Sequence, residues 1–415
     1  MRNAWWAVLA ALVCMVVYIL GCVLSKPAWS PDSSQVALLV TPPGDDPNLS
    51  AVFLYDVKAG THRLLDQVPA EGVLSGPAWS PDGRWIAYCR VEPSAGPNTP
   101  DQTAHGPDPG AADAVLPGLL LDVLKEGQEG EAAGLDMKVM VASPDGKERK
   151  VLCTAAWAGK RDDLRSVMAT GPTWSEDSRH LFYSQPLGRA FSVMDLDVAT
   201  GRSQALLVSS TGEAVPSPDG RWVATLLSDE SKRPALVLAR ADGRMHKYVR
   251  LDLELEDEAD LFLLSGLSWL PDSGRVLVSA GQSMHVVNAD TGEARAYRDP
   301  DTDQIAYGVP SRAGDTVLYL CGLEKGEPSS ADEDIELRSL TLRNGRTKKI
   351  LRLSEGMGLK SVGRFSVSPN GKLILFRGTT QDPAGREKTV LVLWDGKRTR
   401  TIDTDPWLAE LRGSM

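Results

Sequence analysis

Apolar side chains along this chain recur mostly at every second position, in short runs such as Val52-Phe53-Leu54-Tyr55-Asp56-Val57 and Ser283-Met284-His285-Val286-Val287. Turn-forming residues punctuate the runs. A period of two over so short a stretch marks a β-strand, because successive side chains of an extended backbone point to opposite faces. The clearest unit is Pro77-Ala78-Trp79-Ser80-Pro81-Asp82-Gly83-Arg84-Trp85-Ile86-Ala87-Tyr88, which predicts a strand, a tight turn and a second strand. Pro81 pre-sets φ, the Asp82 carboxylate accepts hydrogen bonds from nearby backbone N–H groups, and Gly83 takes the positive φ that closes the hairpin.

The unit recurs. Pro27-Ala28-Trp29-Ser30-Pro31-Asp32-Ser33 precedes it, and Pro172-Thr173-Trp174-Ser175-Glu176-Asp177-Ser178, Val215-Pro216-Ser217-Pro218-Asp219-Gly220, Leu267-Ser268-Trp269-Leu270-Pro271-Asp272-Ser273 and Phe365-Ser366-Val367-Ser368-Pro369-Asn370-Gly371 follow. Val309-Pro310-Ser311-Arg312-Ala313-Gly314 is a degenerate further copy. A second, independent turn follows each copy, ending at Gly60, Gly146, Gly201, Gly243, Gly292, Gly345 and Gly396. Each unit therefore reads as four antiparallel strands. One such sheet has two apolar faces and cannot bury both alone, whereas a ring of them can. Four-stranded units repeating every 40–50 residues predict an all-β chain, a seven-bladed β-propeller, with six blades as the alternative if the degenerate copy is absorbed elsewhere.

The W-S-P-D-G hairpin, followed by turns such as Asp197-Val198-Ala199-Thr200-Gly201 and Asp290-Thr291-Gly292, resembles the PD40 (WD40-like, TolB-type) propeller repeats. The resemblance covers nearly all the chain after residue 26. It implies the fold and says little of function, because the matching residues build blades rather than sites. The predicted organisation is residues 1–24 as a signal peptide or anchor and 25–406 as the propeller. Its blades begin near 27, 77, 172, 215, 267, 308 and 365, and residues 407–415 form a C-terminal tail. Blade two is enlarged. Asp82 and Gly146 are 64 positions apart, against 20 to 32 in the other blades. The excess, 92–134, is rich in Pro, Gly, Ala and acid with an apolar patch at 115–124, which reads as a tolerated insertion or a functional loop.

At the N-terminus, Arg2 is followed by an uncharged apolar run from Ala4 to Leu20 and then Gly21-Cys22. That ending resembles a bacterial lipobox, in which Cys22 becomes the lipidated residue after cleavage. An uncleaved anchor, long enough at Ala4 to Leu24 to span a bilayer, and a plain cleaved signal are the alternatives. All three place the propeller outside the cytoplasm, on the periplasmic or cell-surface side. Three cysteines remain in the propeller, Cys89, Cys153 and Cys321. Buried free thiols are expected, with a Cys89–Cys153 bridge as the alternative.

A formal net charge of −10 argues against a nucleic-acid partner, since phosphate contact needs basic patches. The basic run that stands out is Lys397-Arg398-Thr399-Arg400. The acidic stretches Asp252–Glu258 and Asp332–Asp334 lack the alternate spacing and Gly turn of a calcium loop and read as solvated surface. His62, His105, His180, His246 and His285 form no H-x-x-x-H pair, and no G-x-S-x-G elbow or phosphate loop is present. No catalytic residue, cofactor site or metal ligand set is assigned. The expectation is a non-enzymatic scaffold at the cell envelope, binding a protein or peptide partner and held to the membrane by its N-terminus. The rival is a lyase or hydrolase whose residues converge in the channel from several blades.

Overall fold

The computed structural model of the protein describes residues 26–41, 50–68, 72–94, 134–156, 171–187, 190–209, 213–228, 234–242, 246–251, 266–302, 305–322, 335–381 and 387–413. Cys22 and the rest of the N-terminal segment lie outside them, as do 95–133, both acidic stretches and His105. Seven antiparallel sheets follow one another, each from consecutive strands in the order one-two-three-four. They occupy 28–67, 73–156, 173–209, 214–250, 266–297, 305–352 and 361–403. The protein is a seven-bladed β-propeller. Blade six is complete, with strands Ile305–Pro310, Thr316–Cys321, Glu336–Thr341 and Arg346–Arg352, so six blades are excluded. Blade two differs only in that Val73–Leu74 and Ala78–Trp79 pair separately with Ile86–Pro93, splitting the innermost strand.

The repeated turn joins strands one and two. Ser80 Oγ donates to Asp82 Oδ1 at 2.6 Å and accepts from the Trp85 N–H at 2.9 Å, while Gly83, at φ 73°, donates its N–H to the Ser80 carbonyl. The same hydroxyl-to-carboxylate bond holds the Asp32 and Asp177 carboxyls below the usual range. In the degenerate sixth copy the acid has moved to Asp315, yet Ser311 still bonds it at 3.0 Å and Gly314 still takes φ 70°. The turn survives because its serine and its left-handed residue are kept.

Strands two and three bury both faces. Along Gln35–Val40, Val36, Leu38 and Val40 pack toward blade seven, and Ala37 and Leu39 pack toward blade two. Val276 and Val278 face blade four while Leu277 faces blade six. Strict alternation thus feeds two interfaces from one strand, and apolar clusters fill every gap around the ring. The turn tryptophans reach across these gaps. Trp174 Nε1 donates to the Ala78 carbonyl at 3.1 Å, Trp269 to the Val215 carbonyl at 2.8 Å, and Trp29 to Ser366 Oγ at 3.0 Å. Each partner lies on the innermost strand of the preceding blade.

Because every blade is complete in itself, no strand is exchanged between blades seven and one. Side chains close this seam. Arg377 donates to the Leu39 carbonyl at 2.9 Å, and the Asn370 N–H donates to Ser33 Oγ at 3.1 Å. The basic run contributes Arg400, which donates to the Val57 carbonyl and lies over the Tyr55 ring. Residues 405–413, most of them set apart above as a tail, form a helix rather than a free end. Trp407 and Leu411, four residues apart and so on one helical face, are both buried at the seam. Trp407 stacks on His62 at 4.6 Å and on Tyr55 at 5.8 Å, and Glu410 pairs with His62 at 2.9 Å. Cys89, Cys153 and Cys321 are buried and free. The alternative bridge fails on register. Cys89 and Cys153 both pair with Val139, so a whole strand lies between them, and two strand spacings of about 4.8 Å put them out of disulfide reach.

Trp407→Ala is expected to cost about 3 kcal/mol through the cavity it leaves at the seam. A lowered urea midpoint by tryptophan fluorescence would show it, and an unchanged midpoint would mean the ring closes without the helix.

Candidate functional site

The innermost strands line the channel, and the turn fixes their register. Counting four residues back from the turn serine of each blade (Leu270 in blade five) gives Lys26, Gly76, Gly171, Glu213, Gly266, Tyr307 and Arg364. These are equivalent positions around one ring. Two of the glycines are dictated by close approach of the inner strands. A Cβ at Gly171 would stand 2.2 Å from the Gly76 carbonyl oxygen, and one at Gly266 would stand 3.1 Å from Tyr307 Cα on the next inner strand, besides 2.7 Å from Ser279 Oγ on the second strand of its own blade. The other four blades supply titratable groups.

Arg364 Nη1 donates to Glu213 Oε1 at 3.1 Å. Blades seven and four are not neighbours, so this ion pair crosses the channel. The guanidinium carbon lies 5.7 Å from the centre of the Tyr307 ring, within range of a cation–π contact. Both Tyr307 and Arg364 sit where the inner strand slips register against strand two, and Tyr307 has φ 55°. A bulge turns a side chain out of the regular alternation, and a left-handed tyrosine persists only where its surroundings enforce it. Burial pushes the Tyr307 hydroxyl up to about 12, so the ring stays neutral at physiological pH. Lys26 is open to channel water yet enclosed by the ring. That enclosure holds its ammonium below the ordinary lysine value, with Glu213 opposing the shift and Arg364 adding to it. Burial also works against the Arg364 charge, but Glu213 and Tyr307 outweigh it and keep the guanidinium above its usual value.

Lys26, Glu213 and Arg364 line a channel cavity of about 340 Å³ whose apolar wall includes Trp29, Trp79 and Pro172. A concave, mostly apolar site with a few convergent polar groups is the usual form of a ligand pocket. Lys26 and Glu213 stand just before their inner strands begin. In an antiparallel blade the connection between strands two and three emerges on that same face. The blade-two insertion, which leaves after Ile86–Pro93 and returns at Leu135–Ala142, is therefore joined to the face that carries the charged groups.

His62, His180 and His285 lie away from this cavity. His62 lies at the seam, His285 is buried in blade five beside Ser283 Oγ at 3.0 Å, and His180 pairs with Asp195 at 2.8 Å. His180 and Asp195 flank a second cavity of about 450 Å³ between the turns of blades three and four. Among the described residues no three His, Cys, Asp or Glu side chains are placed to share a metal ion, and no helix is long and apolar enough to cross a membrane. Sequence reading nominated none of the four channel groups, because they are scattered over 338 positions and belong to no motif. The signal that could have found them is the register. The repeat aligns them once the turn serines are superposed.

No protein-family model matches the chain, and no curated protein matches it. Solved structures do. The chain is similar to an oligogalacturonate lyase from Vibrio parahaemolyticus, at 14% identity over 89% of this chain and 88% of that one, with a TM-score of 0.53. It is similar also to the β-propeller domain of the trilobed protease from Pyrococcus furiosus, at 12% identity over 91% and 96%, with a TM-score of 0.53. A TolB from Acinetobacter baumannii stands among the matches at 14% identity over 90% and 80%, with a TM-score of 0.45. At these identities the likeness is one of fold, the propeller that the W-S-P-D-G repeats predict.

A depressed ammonium pKa leaves more of the amine neutral at a given pH, and the neutral amine is the nucleophile. Lys26 is thus expected to acylate faster at pH 8 than exposed lysines such as Lys58 and Lys372 in competitive labelling with acetic anhydride read by mass spectrometry. Equal rates would show that the channel does not perturb it.

Proposed function

We propose that the protein is a non-enzymatic binding propeller of the cell envelope, anchored through its N-terminal segment with Cys22 as the lipidated residue. Its channel mouth holds a protein or peptide partner. The observation that carries this reading is the preformed cavity of about 340 Å³, where tryptophan and proline walls meet a charged tier at the face to which residues 92–134 are joined. A rigid ring offers such a site at little cost in ordering, which favours capture of a flexible segment.

A lyase or hydrolase reading is the second possibility, and one observation favours it. Lys26, Glu213 and Arg364 gather from three blades around one concavity, with the Tyr307 ring packed behind Arg364, and an acid–base site requires such a convergence. Turnover of an oligogalacturonate that disappears in Tyr307→Phe would establish that reading in place of the first.

The binding reading is tested by affinity capture from gently solubilised membranes, using the full chain, Cys22→Ala and a deletion of 95–133. A stoichiometric envelope partner is expected with the full chain and lost with the deletion, while Cys22→Ala releases the propeller from the membrane. Recovery of the propeller alone, at wild-type levels of expression, would overturn it.

A further inference from the structure

The three charged groups of the channel tier do not balance. Lys26 and Arg364 each carry a positive charge, Glu213 carries one negative charge, and Tyr307 is neutral, so among the described residues one positive charge remains uncompensated. The two cations stand at equivalent positions on blades one and seven, which are neighbours across the seam, and they repel one another. Each keeps unused donors. Among the described residues Lys26 makes no ion pair, and Arg364 gives only Nη1 to Glu213 while its buried Nε has no hydrogen-bond partner. Among the described residues no other acidic side chain lines the cavity.

We infer that this tier is a carboxylate site, in which Lys26 Nζ and the Arg364 guanidinium together hold one carboxylate group of the channel's occupant. The inference rests on the binding reading above and names the chemistry that the ligand must present. An ammonium and a guanidinium N–H offer one charge-assisted donor to each oxygen of a carboxylate, and such a pair in an enclosed site is stronger than its counterpart in water. The charge count favours a monoanion. One carboxylate neutralises the tier, whereas a phosphate dianion would overshoot it and face Glu213 across the channel. Glu213 then has a definite role. It occupies part of Arg364 in the empty protein and holds the guanidinium across the channel, so it both orients the site and competes with the ligand for it.

The test uses trifluoroacetate as the probe and its ¹⁹F line width as the readout, with the full chain in detergent. Lys26→Met and Arg364→Met are each expected to weaken binding about tenfold or more, the scale of a lost charge-assisted contact. Glu213→Gln is expected to tighten it, because the competitor goes and the tier gains net positive charge. Lys26 is exposed at the very start of its strand, so its replacement leaves the blade intact even if Arg364→Met disturbs packing. Equal binding to wild type and Lys26→Met would overturn the inference, and so would inorganic phosphate displacing the probe more effectively than acetate.

Three capped peptides then separate the sources of the carboxylate. N-acetyl-Ala-Ala-Ala presents a free terminus, N-acetyl-Ala-Glu-Ala-amide presents a side chain, and N-acetyl-Ala-Ala-Ala-amide presents neither. Displacement by either acidic peptide supports the site and names its source, and equal displacement by the neutral one would overturn it. The two readings fail separately. A partner captured by a chain that ignores trifluoroacetate would remove the carboxylate site and leave the scaffold, and the converse would do the reverse.

Discussion

A four-stranded sheet that is apolar on both faces has no stable existence alone, and in this protein that requirement is met entirely between blades. Strands two and three send alternate side chains to opposite neighbours, so each interface is half of two blades' cores. The consequence is sharpest where the ring must close. Many rings could be fastened by lending a strand from one end of the chain to the other, but here blades one and seven are each complete. The backbone ladder therefore stops at the seam. What crosses it is apolar packing, the Trp29 indole, the Asn370 N–H on Ser33, the buried Arg377, Arg400 on Val57 and Tyr55, and a short helix that lays Trp407 against Tyr55 and His62. The other interfaces use the same tryptophan device from Trp174 and Trp269, so the seam is an ordinary interface reinforced rather than a different kind of joint.

The repeated architecture leaves one ring of positions free to vary. The turn serine and the left-handed residue after it are needed to form each hairpin, and the strand interiors are needed for packing. The residue four places before the serine is not needed for the turn, and at Lys26, Glu213 and Arg364 it faces the channel, while Tyr307 packs in the core beside Arg364. Glycine fills it in blades two, three and five, and at Gly171 the neighbouring strand leaves no room for anything larger. The remaining blades place Lys26, Glu213, Tyr307 and Arg364 there, so a nearly seven-fold scaffold acquires a lopsided chemistry. The bulges at Tyr307 and Arg364 belong to the same logic, because a regular strand would have aimed those side chains elsewhere.

Most of the fold was legible in the sequence because its determinants are local. Ser-Pro-Asp-Gly encodes a hairpin through contacts within six residues, and seven such signals spaced along one chain leave few architectures open. The weak sixth copy was recovered by its second turn at Gly345, and the structure shows why it works despite its missing Pro and displaced acid. What escaped notice depended on tertiary geometry. Arg364 and Glu213 meet only because blades four and seven look at each other across a channel, and no local pattern records that. The seam helix carried a faint signal in Pro406, Trp407 and Leu411, too short to separate from an unstructured end. The histidines stood out by type alone, and His62, His180 and His285 proved to be packing and pairing residues. Cys89 and Cys153 suggested a pairing that their shared partner Val139 forbids.

The seam also sets an order of events during synthesis. Among the described residues, the cover that another blade gives Val36, Leu38, Val40 and Phe53 of blade one comes from residues 375–411. At typical elongation rates of 5–20 residues per second, roughly 20–70 s separates the emergence of that face from the arrival of its cover. For that interval the growing chain presents an apolar sheet with no native partner, and any export or chaperone machinery handling it meets a ring that is still open. The last helix is thus the step that converts a sticky, extendable stack of blades into a closed and finite object.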